Sequence, residues 1–112
     1  LLTSKTELLA NKVAYDDAEK RAAMSDIMLL VQGALVARGR VLLKLNVASA
    51  DLSAVLAVLP SMASPTVMPL ADAEQRAVEA VVAKQGVNTL IPSLKAAGAF
   101  DILEIPIAKI VE

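Results

Sequence analysis

The stretch RVLLKLNVASADLSAVLAVLP, residues 40–60, changes its hydrophobic period halfway along. In the first part Val41, Leu43, Leu45 and Val47 fall on one side, with Leu42, Lys44 and Asn46 alternating between them. That period of two belongs to a strand with one face in a core. In the second part the apolar positions are Leu52, Val55, Leu56 and Leu59, the stripe of a helix lying on that core. Ser49 stands where an N-cap would satisfy the first free N–H groups, and Pro60 with Ser61 ends the helix.

Downstream, the pattern continues in the same alternation of elements. Residues 64–72, SPTVMPLAD, read as an extended segment. Thr66, Val67 and Leu70 suit a pleated, half-buried surface, while Pro65 and Pro69 lack a donor and place the strand at a sheet edge. Residues 76–83 form another strand, with Ala73, Glu74 and Gln75 as the turn between the two. Gly86 breaks the run. Asn88 or Thr89 then caps a helix that contains Leu90, Ile91 and Leu94, with Pro92 in its first turn and Gly98 at its end. Residues 100–107 close with a strand. From Val41 the order is therefore β-α-β-β-α-β, the ferredoxin-like arrangement of the α+β class.

Upstream, residues 6–11 read as a short strand or a helical turn. Asp16 and Glu19 have the spacing of a capping box. Met24, Ile27, Met28, Val31 and Leu35 then form one face of a long helix, and Arg38 and Gly39 suit its C-terminal end. Leu29, Leu30 and Val36 lie off that face. A helix apolar nearly all round is expected to be buried on several sides, so its cover is expected from upstream sequence or another subunit. The start, LLTSKTELLAN, lacks the order of a signal peptide and an initiating methionine, and reads as the interior of a longer protein.

Composition narrows the function classes. The 112 residues are 56% apolar but only 2% aromatic, with 11 basic and 12 acidic side chains in no basic run. A nucleic-acid surface needs clustered Lys and Arg, usually with stacking aromatics, and neither pattern is present. The uncharged apolar run of residues 27–37 is too short to span a bilayer. Histidine and cysteine are absent, which removes the commonest general base and metal ligand. A βαββαβ unit of about 70 residues buries only about 60% of its unfolded surface, so an oligomer or a parent domain is expected.

Several strings in this frame resemble a known family. LLAN, AEKRAAM, LLVQGALVARGRVLLKLNV, VLPSMASPTVMPLAD and VNTLIPSLKAAGAFDILEIPIAKIV are similar to the C-terminal part of long-form ATP phosphoribosyltransferase, the first enzyme of histidine biosynthesis. The resemblance covers almost the whole chain. It implies that residues 1–39 are the last portion of a catalytic domain resembling periplasmic binding proteins, and that residues 40–112 are a histidine-binding regulatory domain. It further implies a cytoplasmic homo-oligomer, dimer to hexamer, in which histidine binding feeds back as inhibition. The parent reaction joins ATP to phosphoribosyl pyrophosphate with magnesium. The chain itself is expected to hold no catalytic residue, metal ligand or cofactor, because Gly33, Gly39, Gly86 and Gly98 are scattered and none opens a phosphate loop. The reading from another class is a stand-alone ferredoxin-like sensor or assembly module with no catalytic partner.

A histidine effector needs donors for its carboxylate, acceptors for its ammonium and an enclosed place for its ring. Ser64 and Thr66 offer hydroxyls at i and i+2, hence on one face of a strand. Taken alone, a Ser-Pro-Thr segment is more often a loop entering a strand. The resemblance places Ser64 and Thr66 in the string that lines the histidine pocket, with Met62 as apolar wall and Val81 as a further lining position. Asn46 matches a position that is an aspartate in some relatives; Asn keeps an acceptor but loses the charge, and a strand-end cap is its plainer role. Asp101, where relatives commonly carry a glycine, is a candidate to supply that charge, a solvated turn aspartate being the alternative. Relatives also commonly carry glycine and tryptophan where this chain has Glu74, Gln75 and Arg76, which removes a large apolar contact from the hairpin.

Overall fold

The computed structural model describes residues 18–60 and 64–112. A long helix, α1 (Ala18–Ala37), leads into β1 (Arg40–Ala48), a 3-10 turn (Ser49–Asp51) and α2 (Leu52–Val58). The hairpin β2 (Thr66–Pro69) and β3 (Gln75–Ala83) follows, then a 3-10 turn (Lys84–Gly86), α3 (Val87–Ala96) and β4 (Phe100–Pro106). The four strands form one sheet in the order β2-β3-β1-β4, with every neighbouring pair antiparallel. This is the ferredoxin-like α+β architecture expected from the change of period.

Alternation decides which face meets the helices. Along β1 the odd positions are buried, and Leu43 and Val47 reach 0% exposure. Val41 pairs with Val82, Leu43 with Ala80 and Leu45 with Val78, so the two central strands present a continuous apolar layer. Val55 and Leu59 from α2, Val87 and Leu94 from α3, and Ala99 complete this core, with Leu52, Leu56, Leu90 and Ile91 packed against it. The stripe read from residues 52–59 therefore faces the sheet.

The ends of the elements differ from the sequence expectations, each for a local reason. Ser49 does not cap α2: it opens the 3-10 turn, and its N–H donates to the Glu74 carbonyl at 2.7 Å. Neither Asn88 nor Thr89 caps α3, which starts one residue earlier at Val87 after its own 3-10 turn, without a side-chain cap. In both cases the overwound turn continues straight into the helix and takes up the backbone groups a cap would serve. Pro92 consequently lies in the second turn of α3, where it denies a hydrogen bond to the Asn88 carbonyl. The extended run of residues 64–72 is strand only over Thr66–Pro69. Pairing begins again at Gln75, because the Asp72 carboxylate accepts from the Glu74 N–H at 2.9 Å and its carbonyl from the Gln75 N–H at 3.0 Å, an aspartate-led turn. Asp16 of the expected capping box, and the expected element at residues 6–11, lie outside the described residues.

As its prolines suggest, β2 is an edge strand, bonded on one side to β3. Arg76 braces the hairpin: its Nη1 donates to the Ala73 carbonyl at 2.7 Å and to the Gln75 carbonyl at 2.9 Å.

The long helix is exposed over the face expected to be covered. Ile27 is 60% exposed and Leu30 50%, and among its residues only Gly33 and Ala37 are buried. Gly33 has a packing role that its spacing alone did not reveal. Its carbonyl accepts from the Ile110 N–H at 2.9 Å, and a Cβ there would lie 3.1 Å from Val111 Cγ2 and 3.3 Å from the Ile110 carbonyl oxygen. The segment after β4 thus crosses α1 where the helix is thinnest. Gly33→Val is expected to push residues 109–111 off the helix, a change read as faster amide exchange at Ile110. Overpacking of this kind costs about 1–3 kcal/mol, offset in part by better helix propensity.

Candidate functional site

The helices cover one face of the sheet and leave the other open. On the open face the register sets Thr66 of β2 opposite Glu79 of β3, Glu79 opposite Lys44 of β1, and Lys44 opposite Leu103 of β4. The next row on the same face is Met68, Ala77, Asn46 and Phe100. Around these rows stand Leu42, Val81 and Ile105, all partly buried.

The sequence-predicted positions distribute unevenly over this surface. Thr66 and Asn46 share the open face, two strands apart and one row out of step. Val81 shares it too, but four residues beyond Ala77 along β3, about 14 Å away at the rise of a strand. Ser64 is exposed and precedes β2 instead of lying in it, so the i, i+2 argument does not carry it onto the strand face. Asp101 is exposed at φ 52° in β4, where the pairing with β1 slips between Lys44 and Asn46. Asp101 and Ile102 together span the stretch opposite Leu45, a bulge whose left-handed residue is ordinarily glycine. Aspartate is among the few other residues that tolerate it. The bulge follows Phe100, the partner of Asn46, and so lies beside Asn46. Met62 lies outside the described residues.

Asn46 does not act as a strand-end cap. It lies two residues inside the end of β1, and no side chain caps either helical turn that follows. The structure adds two residues that the motif reading passed over. Lys44 Nζ and Glu79 Oε2 are 3.7 Å apart on the open face, with side chains 41% and 31% exposed. A pair this wet adds only about 0–1 kcal/mol to stability, yet it is set among apolar neighbours. Its signal in the sequence was the lone charge inside AVEAVV.

Residues 37–109 match the family described as "HisG, C-terminal domain". The chain belongs to that family. Its HisG C-terminal domain is accompanied by likeness along the rest of the chain. A protein named ATP phosphoribosyltransferase from Pelotomaculum thermopropionicum is 44% identical over 111 residues, covering 99% of this chain and 38% of the relative. One of the same name from Solibacter usitatus is 46% identical with the same coverage, and one from Chlorobium phaeobacteroides is 40% identical over all 112 residues. The chain thus spans 38% of the length of each of these relatives. Among the described residues no group of three or more Asp, Glu, His or Cys side chains can hold a metal ion. No described helix is long and apolar enough to cross a membrane.

Proposed function

We propose that this chain is the regulatory portion of an ATP phosphoribosyltransferase, and that histidine binds on the open face of its sheet. In this reading residues 40–112 form the histidine-binding domain, and residues 1–39 with α1 are the end of the catalytic domain. The whole enzyme makes phosphoribosyl-ATP and pyrophosphate from ATP and phosphoribosyl pyrophosphate, with magnesium held elsewhere in the protein. It works as a cytoplasmic homo-oligomer, up to a hexamer, whose rearrangement carries the feedback inhibition.

The observation that supports the effector site most directly is the placement of Thr66 and Asn46 on the sheet face without helices. The Thr66 hydroxyl donates to the carboxylate of the amino acid, and the Asn46 carbonyl accepts from its ammonium. Asp101, Ser64 and Val81 border the same surface in this reading. The ring is enclosed by the apolar positions of the face or by a second subunit laid across it.

Calorimetric titration of histidine into the folded chain, with other amino acids as controls, tests the proposal. Saturable binding of histidine is expected, and no heat at millimolar histidine would sink it. Thr66→Val is isosteric and is expected to weaken binding by about 1–3 kcal/mol through loss of a hydrogen bond that the bound ligand buries. Unchanged affinity would remove Thr66 from the site.

A further inference from the structure

The register of the sheet restricts where a ligand that touches both Thr66 and Asn46 can lie. The two residues are on β2 and β1, with β3 between them. Neighbouring strands are about 4.8 Å apart, so such a ligand must pass over β3. The residues it crosses are fixed by the pairing: Glu79 is opposite Thr66, and Ala77 is opposite Asn46. Ala77 is only 2% exposed and already covered by its neighbours. The accessible part of the crossing is therefore the row of Glu79 and its partner Lys44, which carry one charge of each sign with side chains 31% and 41% exposed.

We infer that Glu79 and Lys44 are the charged grip of this site, Glu79 accepting the α-ammonium and Lys44 donating to the α-carboxylate of the amino acid. The inference rests on the histidine reading above. A zwitterion is matched by paired opposite charges, and hydrogen bonds to ionised partners are about twice as strong as those between neutral groups. Asn46 has no charge to offer. Glu79 supplies it from the adjacent strand, one row away on the same face. The 3.7 Å separation of Lys44 and Glu79 is a loose pairing, and both side chains are open enough to exchange one partner for another. Thr66 then donates to the carboxylate held by Lys44, and the Asn46 carbonyl accepts from the ammonium alongside Glu79.

The test uses the full chain, two ligands and four variants. Wild type is titrated with histidine and with its des-amino analogue, which keeps the ring and the carboxylate but lacks the ammonium. Histidine is expected to bind at least tenfold more tightly. Glu79→Gln is expected to lose at least tenfold for histidine and nothing for the analogue, Glu79→Asp to retain part of the difference, and Lys44→Met to weaken both ligands alike. Equal binding of the two ligands by wild type overturns the inference without any substitution. So does histidine affinity unchanged in Glu79→Gln, or a loss in Asp101→Asn that Glu79→Gln does not share. In those cases wild type still binds histidine, and the histidine reading survives. If wild type binds no histidine, both readings fall together.

Discussion

Gly98→Val is expected to lower the stability of the domain by about 3 kcal/mol or more, seen as a fall in the urea midpoint at unchanged slope. Gly98 has φ 116°, outside the regions a residue with a side chain adopts comfortably. A Cβ there would stand 2.9 Å from both Cβ and Oδ2 of Asp51, a distance that forces the 3-10 turn before α2 to move. Two costs therefore combine. Backbone strain of this kind is about 1–3 kcal/mol, and overpacking against the neighbouring turn is of similar size. The position also closes α3 by a Schellman motif: the Gly98 N–H donates to the Lys95 carbonyl at 3.1 Å and the Ala99 N–H to the Leu94 carbonyl at 3.0 Å. Ala99 and Leu94 meet in the core, so a shifted cap also disturbs packing. Gly98→Ala separates the contributions, since it meets the same first clash with fewer atoms. A midpoint within error of wild type in both variants would show that this turn yields freely.

The same residue illustrates what the sequence could and could not say. Gly98 was legible as a helix end because a glycine followed an apolar stripe. Its contact with Asp51 was not, since it brings together two turns nearly fifty residues apart in the chain. The strands were legible where alternation was clean, as in Val41 to Val47, because a one-residue slip there would turn every apolar side chain to water. Caps were the weakest reading. Ser49, Asn88 and Thr89 are all good capping residues, but the chain enters both helices through 3-10 turns that leave their side chains unused. Asp101 looked like a turn aspartate, and only the slipped pairing with β1 shows it in a left-handed bulge position.

The candidate site was half legible for a related reason. Spacing along one strand places Thr66 on a face, but not which face the helices leave open. It also says nothing of what stands opposite. Glu79 and Lys44 lie far apart in sequence and acquire meaning only through the register of β3 between β2 and β1. The long helix shows the opposite case. Its surplus of apolar residues was plain in the sequence, and in the structure Ile27, Leu29, Leu30 and Leu35 are each at least 43% exposed. Exposed apolar area of that extent marks a contact surface, in keeping with relatives whose chains are much longer.

The sidedness on which the site depends has a direct test in adjacent leucines of β1. Leu43→Ala is expected to cost about 3–5 kcal/mol, at the upper part of the range for a buried leucine. Its side chain is 0% exposed and lies opposite Ala80, too small to fill the space left behind. Leu42→Ala is expected to cost only about 1 kcal/mol, because its side chain is on the open face and already partly in water. Equilibrium unfolding of the two variants in denaturant reads the difference. If the costs were equal, both faces would be equally enclosed, and the helix-free surface carrying Asn46, Thr66 and Glu79 would have no basis. Repeating the pair in a protein that includes the remaining length seen in the relatives extends the argument. A rise in the Leu42→Ala cost there, with Leu43→Ala unchanged, is expected if another subunit lies across the open face.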